Sequence, residues 1–189
     1  MLTEKSDSPA MPSAAAAIGA FNQRAKVRGW PFVCAPAQDF AHPELDAVCQ
    51  LWRDKAQARA MPCRADLTAR AMKPWMTHMT LLERVTESAD HRRYRVRLHG
   101  TALARYGGDS SGKFLDERVH PDRLAGFVAV YDLLLAIRRP LRVVTHYQAP
   151  EIAYLIGESF LAPLELPGAA EPLILSVTYA EPRRELDDR

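Results

Sequence analysis

The side chains able to carry chemistry in this 189-residue chain are six histidines, three cysteines and a run of arginines. The histidines at 42, 78, 91, 99, 120 and 146 form no i,i+4 pair and have no neighbouring Cys or carboxylate set suited to zinc, so no metal site is expected. Cys34, Cys49 and Cys63 are odd in number, widely spaced and without a CxxC pair. They predict no disulfide framework, and a reduced, cytoplasmic setting is the simplest. Gly107-Gly108-Asp109-Ser110-Ser111-Gly112-Lys113-Phe114 begins like a phosphate-binding loop. Phe114 stands where the Mg²⁺-binding Ser or Thr belongs, and a helical segment precedes it, so it reads as a glycine-punctuated turn. Gly157-Glu158-Ser159-Phe160-Leu161 lacks the second glycine of a nucleophile elbow and reads as mid-strand. No catalytic residue is expected.

Arg92, Arg93, Arg95, Arg97 and Arg105 form the densest basic cluster. The 25 basic residues against 23 acidic ones leave a net charge of only +2, and no aromatic platform interleaves with the arginines. Nucleic acid is therefore not an expected partner. Alternation places Arg95, Arg97 and His99 on one strand face and Tyr94, Val96 and Leu98 on the other. Arg97, close to the Gly100-Thr101 turn, has two readings: an ion pair with Asp109, or a bidentate grip on a ligand carboxylate.

These residues must be held by elements, and the composition allows them. Hydrophobic residues make up 48% and charged residues 25%, ordinary for a globular chain long enough to build a core without staples. The apolar run Ala14–Ala20 is too short to cross a membrane. Residues 1–20 are rich in Ser, Ala and Pro, and 21–41 lack a repeat, so 1–41 reads as a flexible tail and connector. His42–Ala60 is an amphipathic helix, with Leu45, Val48, Cys49, Trp52 and Ala56 on one face. A short turn or helix follows at Asp66–Lys73. Met79–Val85 and Arg93–His99 read as a hairpin of strands. Short helical pieces span 101–118, and a long helix starts at Pro121 and stops before Pro140. Its stripe is Leu124, Phe127, Val128, Tyr131, Leu134 and Leu135. Leu141–Gln148, Ile152–Ala162 and Pro172–Ala180 read as three strands, antiparallel because short links join them. The tight link is Ala149-Pro150-Glu151. The class is α+β.

The segment Phe114-Leu115-Asp116-Glu117-Arg118-Val119-His120-Pro121-Asp122-Arg123, placed before a long helix, resembles the corresponding segment of PAS domains. Val96-Arg97-Leu98-His99-Gly100-Thr101, then Gly107, Asp109 and Gly112, and upstream Trp52 with Met61-Pro62-Cys63-Arg64-Ala65-Asp66, are similar to a bacterial subfamily of short PAS-only proteins. Arg123 follows Asp122 where many PAS domains carry a second acid. The resemblance covers residues 42–181, with 182–189 as a C-terminal tail.

The resemblance implies a five-stranded antiparallel sheet flanked by short helices and one long helix, with His42–Ala60 as an N-terminal cap helix. It implies a sensory or regulatory module that binds a small organic ligand, forms a homodimer, and signals through a partner protein in trans, since no output segment follows the domain. Pocket candidates are Arg97, Phe127, Tyr131, Leu135, His146 and Tyr154, with Tyr147 and Leu155 as neighbours. Dimer-interface candidates are Leu45, Val48 and Trp52, unless the helix buries that face against the sheet. Haem would need an axial histidine, for which His120 and His146 are the candidates, and a lone His is more often structural. A flavin photosensor is disfavoured because all three cysteines lie upstream of the short helices. Two alternatives stand beside this reading: a small α+β enzyme with an internal pocket, and a protein-interaction adaptor whose core is filled.

Overall fold

The computed structural model describes residues 12–88, 91–148 and 152–182. The first helix, α1 (Ala14–Arg28), starts where the Ser13 hydroxyl accepts the Ala16 N–H at 3.2 Å. It ends at Gly29, whose φ of 65° is the left-handed turn a helix C-terminus favours. Ile18, Phe21 and Ala25 are its buried stripe. Strand β1 (Phe32–Pro36) follows directly. Residues 14–36, expected as tail and connector, are thus structured. The stripe escaped notice because the alanines around it give little contrast between buried and exposed faces. Residues 1–11 of the expected tail lie outside the described residues.

Helix α2 (Pro43–Ala56) buries the five residues read from its periodicity and ends at Gln57, short of Ala60. The segment after it holds a 3₁₀ turn at Arg64–Asp66, the short helix α3 (Ala69–Met72) and a 3₁₀ turn at Lys73–His78. Strands β2 (Met79–Ser88) and β3 (His91–His99) pair antiparallel. After α4 (Thr101–Ala104) and a 3₁₀ turn at Leu115–Glu117 comes the long helix α5 (Pro121–Ile137). The chain closes with β4 (Leu141–His146), β5 (Leu155–Leu164) and β6 (Leu173–Pro182). The link 149–151 and residues 183–189 lie outside the described residues.

The six strands form one antiparallel sheet in the order β1-β4-β5-β6-β2-β3. Five were expected; the sixth is β1, added beside β4. Every residue of central β5 is buried, because helices cover both faces. One core joins Ile18, Phe21 and Ala25 of α1 and the buried side of α5 to Leu82, Tyr94, Val96, Val143 and Leu161 of the sheet. The other joins α2 and Trp75 to Phe160, Leu164, Leu173 and Leu175. Of the expected α5 stripe, Tyr131, Leu134 and Leu135 are buried and Leu124, Phe127 and Val128 half-buried; with α1 lying against it, the helix also buries Gly126, Ala129, Val130 and Leu133.

The α2 face settles the interface candidates. Leu45, Val48 and Trp52 are 0%, 1% and 5% exposed and pack on the chain's own sheet. The Trp52 indole N–H also donates to the Pro163 carbonyl at 3.0 Å. They are core residues of this chain and offer no surface to a second copy.

Both outer edges of the sheet are engaged by side pieces of the chain. On β1, the Asn22 carboxamide accepts the Cys34 N–H and donates to its carbonyl, each at 2.8 Å. On β3, the Val96 N–H donates to Lys113 at 2.9 Å, and Gly112 donates to the Val96 carbonyl at 2.7 Å.

Candidate ligand cavity

A cavity of about 310 Å³ lies between the α5 face of the sheet, the N-terminal half of α5 and the segment from α4 to the helix start. Its apolar wall is Leu82, Val96, Leu115, Phe127, Val130, Tyr131, Val143 and Leu161, with Phe32 reaching in from β1. Its polar wall is a row of hydroxyls on the sheet. Thr80 faces Ser176 across β2 and β6, and Ser159 faces Thr178 across β5 and β6. Ser159 Oγ and Thr178 Oγ1 are 2.8 Å apart, and Ser176 Oγ is 3.2 Å from the same Thr178 oxygen. Hydroxyls on buried strands are costly unless bonded, and these satisfy one another while facing the cavity.

On the apolar wall Tyr131 is buried, and burial raises its pKa, so the phenol keeps its proton as a donor. The Tyr147 ring lies over Gly157: a Cβ there would sit 3.0 Å from Tyr147 Cε2, so a larger residue would make the ring shift by a few tenths of an ångström. Burial raises the Tyr147 pKa as well. Toward solvent the lining becomes cationic, with Arg118 and Arg123 joining His120, Tyr106 and the Gly107-Gly108 turn. His120 is the N-cap of α5; its Nδ1 accepts the Asp122 N–H at 3.4 Å.

Of the six pocket candidates, Phe127 and Tyr131 line the cavity. Leu135 is buried in the core further along α5. His146 is exposed and Tyr154 is 60% exposed; their neighbours Thr145, Tyr147 and Ile152 face the cavity instead. Arg97 lies on the opposite face, where its Nη1 donates to Glu83 Oε2 at 3.0 Å. Neither Asp109 nor the cavity takes its guanidinium. Of the two histidines weighed for haem, His120 lines the cavity and His146 does not. None of the three cysteines lines it, and burial pushes the Cys34 thiol up to about 12.

His99 was assigned to the wrong face, and the cause is local. Leu81 pairs with Leu98 and Leu82 with Val96, so Arg97 is an extra residue in β3. Such a bulge reverses the alternation beyond it. Leu98 therefore turns to the α2 core and His99 to the cavity, beside Thr80 Oγ1 at 3.5 Å. Ser176 and Thr178 stand two apart in an otherwise apolar strand, which places them on one face without showing what that face meets, and Ser159 was weighed only as a nucleophile.

Burial lowers the pKa of His99; Asp109 opposes that shift and Arg118 adds to it. The exposed His120 imidazole is the further titratable group on this wall. As the pH falls below about 6.5, histidines of the unfolded chain take up protons while His99 in the fold resists. Stability conferred by the neutral imidazole is thus present above that pH and declines through the window between the two pKa values. Urea midpoints measured from pH 7.5 to 5 should show this slope in the wild type, and His99→Gln should flatten it. An unchanged profile in the variant would remove His99 as the cause.

Among the described residues, no group of three or more His, Cys, Asp or Glu is placed to hold a metal ion, and no helix is long and apolar enough to cross a membrane. No family model, curated protein or solved structure matches this chain.

Proposed function

We propose that the chain is a PAS-like sensory module that holds a small organic ligand in this cavity and passes its occupancy to a signalling protein. The observation that carries the reading is the cavity itself: about 310 Å³ with one apolar wall and one hydroxyl wall, where a packed core would be filled. Its volume falls at the lower end of the range for small-molecule sites, about 300–1,000 Å³. The strand order supports the family resemblance. Without β1 the sheet runs β4-β5-β6-β2-β3, with two strands before the helical block and three after it.

The added segment supplies a route out of the cavity. Phe32 lines the cavity and packs edge-on to Phe127, with ring centroids 4.8 Å apart. Its ring also limits Gly126 of α5, where a Cβ would sit 2.8 Å from Phe32 Cε2. A ligand that displaces Phe127 therefore presses on β1 and, through it, on α1.

Native mass spectrometry of the purified protein tests the reading. A co-purifying small mass is expected, and Ser159→Phe, which fills the polar wall, should remove it while the chain stays folded. A wild-type chain that is bare, and whose melting temperature no metabolite library shifts, would overturn the proposal.

A further inference from the structure

Resting on that reading, we propose that the cavity selects an organic carboxylate, a singly charged acid group on an apolar body, and that Arg123 meets the acid group. Among the described residues, those lining the cavity include two arginines and two histidines and no Asp or Glu. Most other arginines with a role in the fold are matched to acids. Arg84 pairs with Glu171 and Asp132, Arg93 with Asp116, Arg95 and Arg97 with Glu83, and Arg142 with Glu158. Arg84 and Arg123 each bury an Nε whose proton no described residue accepts, but the Nη groups of Arg84 are held by its two acids, whereas Arg123 has no acid partner among the described residues. A carboxylate is the acceptor-only group that a guanidinium fork fits bidentately. The Tyr131 phenol and the strand hydroxyls offer further donors, while Phe127, Val130 and Leu161 suit an apolar body.

The mouth also sets the charge of the ligand. Arg118 already gives its Nη2 to the Gly107 carbonyl at 2.8 Å. Asp109 is held ionised chiefly by the Ser111 N–H, with His99 and Arg118 adding to the effect, and it offsets one cation there. A single negative charge is matched; a dianion is not. Nor does the glycine turn cradle a phosphate. Its N–H groups at Gly108, Ser111, Gly112 and Lys113 are all engaged within the chain, at 2.7, 2.9, 2.7 and 3.1 Å.

The test is calorimetric titration at pH 7.5 and low salt with phenylacetate, 4-phenylbutyrate and octanoate, each against its neutral amide and against phenyl phosphate. At least one acid should bind ten-fold or more tightly than its amide. Arg123→Gln should erase that preference and leave the amide unchanged, and Arg123→Lys, which keeps the charge but loses the fork, should keep only part of it. Arg123 sits in the first turn of α5, and an unaltered melting temperature of the unliganded variant shows that it folds. Equal binding of acid and amide, a preference that survives Arg123→Gln, or tighter binding of phenyl phosphate would each overturn the carboxylate assignment while leaving the sensory reading standing. Failure of every probe, together with a bare chain by mass spectrometry, would overturn both.

Discussion

Glu158→Ala should lower the stability of the folded chain by about 3–5 kcal/mol, the cost of breaking a buried ion pair from one side. Glu158 is 2% exposed in the middle of β5, facing away from the cavity. Its Oε1 accepts the Ala41 N–H at 3.0 Å and the Arg142 Nε at 2.5 Å, and its Oε2 accepts the His42 N–H at 2.9 Å. One carboxylate thus ties β4, β5 and the entry to α2, where the positive end of the helix dipole also favours it. Alanine leaves the Arg142 guanidinium half-buried and two backbone donors without this acceptor. Glu158→Gln retains an acceptor and should cost less, about 1–3 kcal/mol. Urea denaturation followed by far-UV circular dichroism should show the midpoint falling in that order at an unchanged slope. A loss below about 1 kcal/mol for the alanine variant would mean that water replaces the carboxylate and the anchor is not structural.

Gly100→Ala should be nearly as damaging, at about 3 kcal/mol, the upper end of the range for overpacking. Gly100 joins β3 to α4 with an ordinary φ of −65°, so backbone freedom is not the reason for glycine. Space is: a Cβ would meet the Thr77 carbonyl carbon at 2.5 Å, the Met76 oxygen at 2.8 Å and the Thr77 oxygen more closely still. These are backbone atoms and cannot rotate away. Relief must shift α4, which carries Leu103 and leads to Tyr106 on the cavity wall, so binding of any ligand should weaken along with stability. Gly107→Ala is the control. Nothing lies within 4 Å of a Cβ there, and the change should stay within about 0.5 kcal/mol. Equal melting temperatures for the two variants would refute the crowding argument.

The α+β class, the order of elements after residue 42 and the buried face of α2 were legible in the sequence. Periodicity reports burial directly there: Leu45, Val48, Cys49, Trp52 and Ala56 recur at helical spacing, and the structure buries all five. Features set by a single residue or by remote contacts were not legible. The bulge at Arg97 moves His99 to the cavity without leaving a mark on the local pattern. Glu158 reads as a polar strand residue until the start of α2 and Arg142 are brought to it from 16 and more positions away. Phe127 and Tyr131 were found because α5 has one stripe facing the sheet. Arg123 and the hydroxyls of Ser159, Ser176 and Thr178 were missed as cavity residues, because polar groups that face an internal space look the same in sequence as those that face water.

The atoms along the two sheet margins have a meaning for assembly. An open antiparallel sheet ends in rows of unpaired amides and carbonyls, which recruit further strands and can lead to fibrils. Here the Asn22 carboxamide imitates the backbone of a seventh strand at Cys34, and the Gly112-Lys113 backbone does the same at Val96. β1 is also only five residues long and ends in Pro36. At these two positions the edge backbone is already occupied, which disfavours edge-to-edge stacking there.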